Sequence, residues 1–165
     1  MIQIKKVIGV GNTKLSAFDN ALFEAGIENR NLLYLSSVIP TGEKVKVLKD
    51  NEKVKLNGKW GDKLFVVMAN EVAGAGEVAS ASITHAFDEA TKNGLFVEHE
   101  AIGSGSLKQV ETDNVQAIID LFKTRSLMIE GTDVQSITTG TVGTGFKCAM
   151  VVAVFEEQSW ELLGK

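Results

Sequence analysis

Between residues 145 and 155 the chain reads GFKCAMVVAVF, and from Cys148 to Phe155 it has no polar side chain. A run this apolar has to leave water, yet it falls far short of the roughly 20 residues that cross a bilayer. It therefore needs a protein interior, which the rest of the chain must supply. Apolar patterning marks it as one of several strands, with others near 2–10 (IQIKKVIGV), 31–36, 63–69, 94–100 (GLFVEHE) and 134–139. Helical spacing is expected over 16–25, 77–92 and about 110–128. In the first of these Ser16 is positioned to cap and Gly26 to stop; in the second Gly94 follows the stripe. The polar stretch VLKDNEKVKLNGKWGD (47–62) carries turn signals at Asn57-Gly58 and Gly61-Asp62 and reads as a surface hairpin or loop. Strands and helices interleave, but several connections are short. The expectation is a sheet with helices packed against it, in one domain over 1–165, and not a purely parallel sheet.

Charge narrows the function. The formal net charge is −4, and the 17 Lys and Arg are scattered rather than clustered. Nucleic-acid binding rests on cations gathered at phosphates, so that class is disfavoured. The opening Met-Ile-Gln-Ile-Lys-Lys has no apolar core of the signal-peptide kind, and a cytoplasmic location is expected, with no membrane partner. The one cysteine, Cys148, lies inside the apolar run and reads as a core residue. His85 falls on the apolar stripe of the second expected helix, and His99 sits between Glu98 and Glu100 on a strand. No third ligand stands beside either, so no metal site is expected.

Two glycine stretches follow strands. GVGNTK (9–14) has neither the GxxxxGK[ST] nor the GxGxxG spacing. GAGEVA (74–79) fits GxGxx[GA] ahead of an expected helix, the context of a dinucleotide site. Glu77, however, would stand where a pyrophosphate should lie, and like charges repel there.

A different chemistry is available at Ser36-Ser37, just ahead of the chain's only proline, Pro40. Serines before such a turn ordinarily hydrogen-bond the turn. On a strained backbone, however, a serine hydroxyl can attack the carbonyl before it and convert the peptide to an ester. Elimination and hydrolysis then leave a pyruvoyl group on the new N-terminus. Such a ketone forms a Schiff base with an amine and acts as an electron sink.

The stretch LSAFDNALFEAGIENRNLLYLSSVIP (15–40) resembles the pyruvoyl-dependent arginine decarboxylases, small self-processing enzymes. The likeness rests on Ala17-Phe18-Asp19, Ala21-Leu22, Ala25-Gly26-Ile27, Asn29, Asn31-Leu32 and Ser36-Ser37-Val38-Ile39-Pro40; a more distant similarity covers almost the whole chain. The resemblance implies an α+β sandwich, β-sheets packed together and flanked by helices. It implies cleavage between Ser36 and Ser37 into chains 1–36 and 37–165, with the pyruvoyl group derived from Ser37 and no need of pyridoxal phosphate or metal. The implied reaction takes L-arginine to agmatine and CO2, the first chemistry of polyamine synthesis. Ser37 would supply the carbonyl, Glu98 the proton that replaces CO2, and Asp19 the contact to the guanidinium. Asn31 would add a hydrogen bond near the pyruvoyl group, and Ser36 would become the new C-terminus in the site. The implied assembly is a homotrimer, or a pair of trimers, with active sites between subunits.

Residue chemistry tests those roles. With Ser16 as N-cap, Asp19 falls at N3, where an acid closes a capping box; helix cap and guanidinium ligand remain alternatives. On a straight strand Asn31 and Ser37 share a face but lie six residues, roughly 20 Å, apart. Either the strand bends or Asn31 serves a neighbouring chain. The loop GVGNTK carries no acid, Arg30 places a cation beside Asn31, and Ala101 follows Glu100, all departures from the usual family pattern. Another amino-acid substrate and a non-processing relative of the same fold are the alternatives.

Overall fold

The long apolar run becomes the middle of a sheet. In the computed structural model, which describes residues 1–160, it forms β9 (Phe146–Gln158). On one flank it pairs antiparallel with β5 (Lys63–Ala73), on the other with β1 (Ile2–Gly11). Two short strands close the edges, β2 (Asn31–Tyr34) parallel to β5 and β4 (Val45–Val47) parallel to β1. The order of this five-stranded sheet is β2-β5-β9-β1-β4. A second, four-stranded sheet stacks on it in the order β3-β7-β6-β8, built from β3 (Val38–Ile39), β6 (Ala79–Asp88), β7 (Gly94–Ile102) and β8 (Ile129–Thr138). Helix α1 (Lys14–Ala25) covers the outer face of the first sheet and α2 (Ser106–Thr124) that of the second. The expected sandwich of sheets flanked by helices is the observed one.

Alternation explains the layers. Along β9, Cys148, Met150, Val152 and Val154 face α1, together with Ala17, Ala21 and Leu22 of the helix. The intervening Ala149, Val151 and Ala153 face the second sheet, where Ala79, Ala81, Ile83 and Phe96 meet them. Cys148 is thus a core residue as expected; burial, with Glu71 adding its charge, pushes its thiol up to about 12. A third cluster, Ala86, Leu95, Val97, Ile118 and Phe122, seals α2 to its sheet. Gly9 accounts for the first glycine stretch: a Cβ there would lie 2.1 Å from the Ala17 carbonyl oxygen, so its bare backbone lets α1 rest on β1.

Several expectations are corrected. Residues 77–92 form no helix; they contain β6, paired on both sides with β7 and β8. Ala79, Ala81 and Ile83 face one core while Ser80, Ser82 and Thr84 lie buried on the other side, so the strand is covered on both faces and its alternation is between apolar and small hydroxyl residues. The dinucleotide reading falls with that helix. GAGEVA is a turn between sheets, with Gly76 at φ +82 and the Glu77 carboxylate accepting the Gly74 N–H at 2.7 Å. Helix α1 begins earlier than expected: Thr13 is the N-cap and Ser16 the N3 partner of the capping box. Asp19 therefore lies beyond the first turn and does not cap. Of the two readings of the polar stretch, residues 48–62 form the loop, anchored by buried Leu48 and Val54. Lys5, itself buried, donates to the carbonyls of Lys49 and Asp50 at 2.8 and 2.9 Å. No helix among the described residues is long and apolar enough to cross a membrane.

Candidate active site

Strand β2 belongs to one sheet and β3 to the other, so the chain has to cross between sheets within residues 35–37. Leu35 is still tied to the first sheet, its N–H donating to Val66 O at 2.9 Å. Two residues later Ser37 is tied to the second, its carbonyl accepting the Phe96 N–H at 2.8 Å. The Ser36–Ser37 peptide is held from both sides. Ser37 adopts φ +65, the left-handed region, where a residue with a Cβ stores about 1–3 kcal/mol. Glycine would relieve that strain, but it would bring no hydroxyl. The Ser37 Oγ donates to the Glu98 carboxylate, 2.9 Å from Oε2 and 3.0 Å from Oε1. Ser36 is exposed and Ser37 half-buried.

Glu98 reaches this point because β7 alternates. Phe96, Glu98 and Glu100 share the face turned toward the first sheet, and Phe96 fills the inter-sheet core just before the strand emerges. Glu71 stands on the inward face of β5, between core residues Ala69 and Ala73. Burial holds the Glu100 carboxyl above its ordinary range; Glu71 and Glu98 push the same way and His99 opposes them. Burial and Glu100 likewise raise the Tyr34 phenol. The mouth of the sandwich beside Ser37 is therefore lined with negative charge. Sequence reasoning singled out Glu98 but missed Glu71, Glu100 and Tyr34. Strand alternation from Glu98 could have found Glu100, whereas Glu71 joins only through the stacking of two sheets.

Ser37, Ser36 and Glu98 thus come together within one chain, and the other expected residues do not join them. Asp19 is exposed on the outer side of α1, four residues from exposed Leu15 and four from exposed Phe23. Asn31, also exposed, begins β2 and donates through Nδ2 to Gly61 O at 2.5 Å. Between the two residues the chain runs along β2 to Tyr34 and then turns into the other sheet, and the Asn31 and Ser37 side chains have different hydrogen-bond partners. Arg30 turns inward to pair with Glu157 and donates to Gly58 O at 3.0 Å, so its charge is compensated away from Asn31. His99 points to the α2 side, where its Nδ1 lies 2.6 Å from Asn114 Oδ1, and the Asn114 amide donates to Ser82 Oγ at 2.9 Å.

A family model described as pyruvoyl-dependent arginine decarboxylase matches residues 1–160. The chain is 35% identical over 106 residues to the pyruvoyl-dependent arginine decarboxylase of Pyrococcus horikoshii and 37% identical over 106 residues to that of Pyrococcus furiosus. Each match covers 64% of this chain and 61% of the relative's own length. A shorter stretch of 30 residues, 18% of this chain and 19% of the relative, is 70% identical to the enzyme of that name from Thermococcus sibiricus. With the whole described chain matched by one family, the protein belongs to the pyruvoyl-dependent arginine decarboxylases.

Proposed function

We propose that the chain cuts itself between Ser36 and Ser37 and, with the pyruvoyl group so generated at residue 37, decarboxylates L-arginine to agmatine and CO2. The observation that carries this reading is the Ser37 hydroxyl resting on Glu98 at a strained peptide held between two sheets. Glu98 is placed to take the hydroxyl proton as Oγ attacks the Ser36 carbonyl carbon. The C–N bond breaks, the nitrogen gains the proton, and an ester joins Ser36 to the Ser37 side chain. Release of the left-handed strain favours this direction. Loss of the Ser37 Cα proton then expels Ser36 as a free carboxylate, and water removes the nitrogen of residue 37 as ammonia. A hydroxyl, a carboxylate acceptor and an exposed leaving segment fit Ser37 as the source of the group.

The carbonyl of that group supplies an electron sink for an amine substrate, without pyridoxal phosphate or metal. Glu98, beside residue 37, holds the proton that replaces CO2 on the substrate carbon. Glu71 and Glu100 make the mouth attractive to a cation, which favours a basic amino acid. Asp19 accepts the guanidinium, whose paired donors match a carboxylate, and Asn31 donates a supporting hydrogen bond. Neither residue contacts Ser37 of its own chain. They act across a subunit boundary in a trimer, alone or paired with a second trimer, in which a neighbour covers the exposed Leu15-Asp19-Phe23 stripe. The single domain acts in the cytoplasm.

Intact-mass spectrometry of purified protein, followed by measurement of CO2 release from arginine, tests this reading. Two fragments cut after Ser36 are expected, the C-terminal one lighter by one ammonia than the simple hydrolysis product. A single uncut chain after prolonged incubation overturns it in favour of a non-processing relative. Turnover that requires added pyridoxal phosphate overturns the chemistry.

A further inference from the structure

Helix α2 turns one buried stripe to the second sheet: Ser106, Val110, Asn114, Ile118 and Phe122, each four residues after the last. Asn114 stands in the middle of it with no exposure at all. A carboxamide there adds little apolar burial and is tolerated only if both of its ends find partners. Both do. Its Nδ2 donates to Ser82 Oγ at 2.9 Å, and its Oδ1 lies 2.6 Å from His99 Nδ1. With the amide nitrogen engaged by Ser82, the oxygen faces the ring, so His99 donates through Nδ1–H. Ser82 and His99 are direct cross-strand partners on β6 and β7. Asn114 therefore bridges two strands from the helix side, and it fits only one register of helix on sheet.

This tie falls on the stretch of β7 that has least lateral support. β3 pairs with β7 only at Gly94 and Leu95, and the Phe96 N–H then donates to Ser37 O. Beyond that bond no strand flanks β7 on the β3 side among the described residues, while the ladder to β6 continues to Ile102. A strand held along one edge can swing about it unless its face is gripped. Glu98 lies on this stretch, and His99, next to it and on the opposite face, is the residue that α2 grips. We infer that Asn114, acting through His99, holds the Glu98 carboxylate at the Ser37 hydroxyl. Both are positioning residues, and neither touches the reacting atoms. The inference rests on the proposed role of Glu98 in taking the Ser37 proton. A base has to stay within hydrogen-bond reach of that proton, and a displacement of about 1 Å can slow a reaction on the order of a hundredfold.

Asn114→Leu keeps most of the volume and removes both hydrogen bonds. In freshly translated precursor it should slow cleavage after Ser36 on the order of ten- to a hundredfold. His99→Leu should slow it equally, whereas His99→Gln, whose amide can donate to Asn114 Oδ1, should restore most of the rate. Ile118→Val, one turn along the same stripe, loosens the packing of α2 and should leave the rate in place. Exchange of the Phe96 amide hydrogen, read in the uncut Ser37→Ala chain, follows the same stretch of β7 without any cleavage. Asn114→Leu and His99→Leu should speed it on the order of tenfold, and His99→Gln and Ile118→Val should not. If the parent chain never cuts, the proposed function falls and Phe96 exchange alone decides this inference. If Asn114→Leu does not fold, the two His99 variants decide it. Unchanged Phe96 exchange in His99→Leu overturns it, as does a His99→Gln chain that behaves like His99→Leu. Cleavage slowed as much by Ile118→Val as by the loss of either hydrogen-bonding side chain overturns it equally, because the helix then acts through packing alone.

Discussion

The middle of the first sheet and the crossing at residues 35–39 solve opposite problems. β9 is 13 residues long, is hydrogen-bonded on both flanks, and from Cys148 to Val154 is no more than 2% exposed. The crossing joins a four-residue edge strand to a two-residue one through an exposed serine and a serine in the left-handed region. The first region provides the stability that keeps the second strained. A peptide pulled toward two sheets can stay in a costly conformation only if neither sheet gives way. Stability and cleavage should therefore respond to different substitutions.

Ser37→Ala should separate them most completely. It removes the nucleophile, so no fragments should appear by mass spectrometry, while its stability should differ from that of the uncut precursor by no more than about 1 kcal/mol for the lost hydrogen bond. A cut that persists would mean that the strained peptide breaks without its hydroxyl. Ile4→Ala probes the opposite region. Ile4 is fully buried between the sheets, and its truncation should lower stability by about 2–5 kcal/mol in denaturant titration. The fraction that remains folded should still cut after Ser36; slower cutting in proportion to the lost stability would show that the crossing is not independent of the core.

Asp19→Asn should leave both cleavage and melting temperature in place, because Asp19 is exposed and takes no part in the Thr13–Ser16 cap. Removing its charge should cost about 2–4 kcal/mol of transition-state binding, roughly thirty- to a thousandfold in kcat/KM for arginine. Unchanged arginine turnover would direct the substrate assignment to lysine, ornithine or another amine precursor. The smallest effect concerns Glu157. Burial pushes its carboxyl up, but hydrogen bonds from Arg30, Gly58 and Asn57 outweigh this and hold it below its ordinary range. A group depressed in the folded state adds stability above its unfolded pKa and loses that contribution as pH falls through the folded value. Melting curves across the acid range should therefore show a shallower pH dependence in Glu157→Gln than in the parent, with cleavage unaltered.

What could be read from sequence followed from local rules. β1, β2, β7 and β9 announced themselves by apolar patterning, and α1 by its stripe and the glycine that ends it. β6 was misread because the alternation of Ala79, Ala81 and Ile83 with Ser80, Ser82 and Thr84 has little contrast between small side chains, while Val78, Ala81, Ser82, His85 and Ala86 happen to fit a helical stripe. The Thr13 cap was missed because Ser16, three residues on, is an equally good capping residue. At the candidate site, Ser36-Ser37 and Glu98 were singled out through family resemblance. That Glu98 touches Ser37 was not legible, since it depends on β3 pairing with the start of β7 across more than fifty intervening residues. The separation of Asp19 and Asn31 from Ser37 likewise follows from the crossing, which no local pattern encodes.

The place of β1 has a consequence for the protein after cleavage. The fragment 1–36 carries β1, α1 and β2, and β1 is zipped between β9 and β4 in the interior of the five-stranded sheet. The product of the proposed cut would thus be a two-chain complex completed by strand complementation, whose short chain could not diffuse away without opening the sheet. Unfolding becomes a dissociation, so its midpoint should rise with protein concentration, whereas each uncut Ser37→Ala chain keeps its own β1 tethered. Refolding of the cut form likewise depends on two pieces meeting, at a rate set by their concentration. Only the precursor holds its complete fold in one covalent chain.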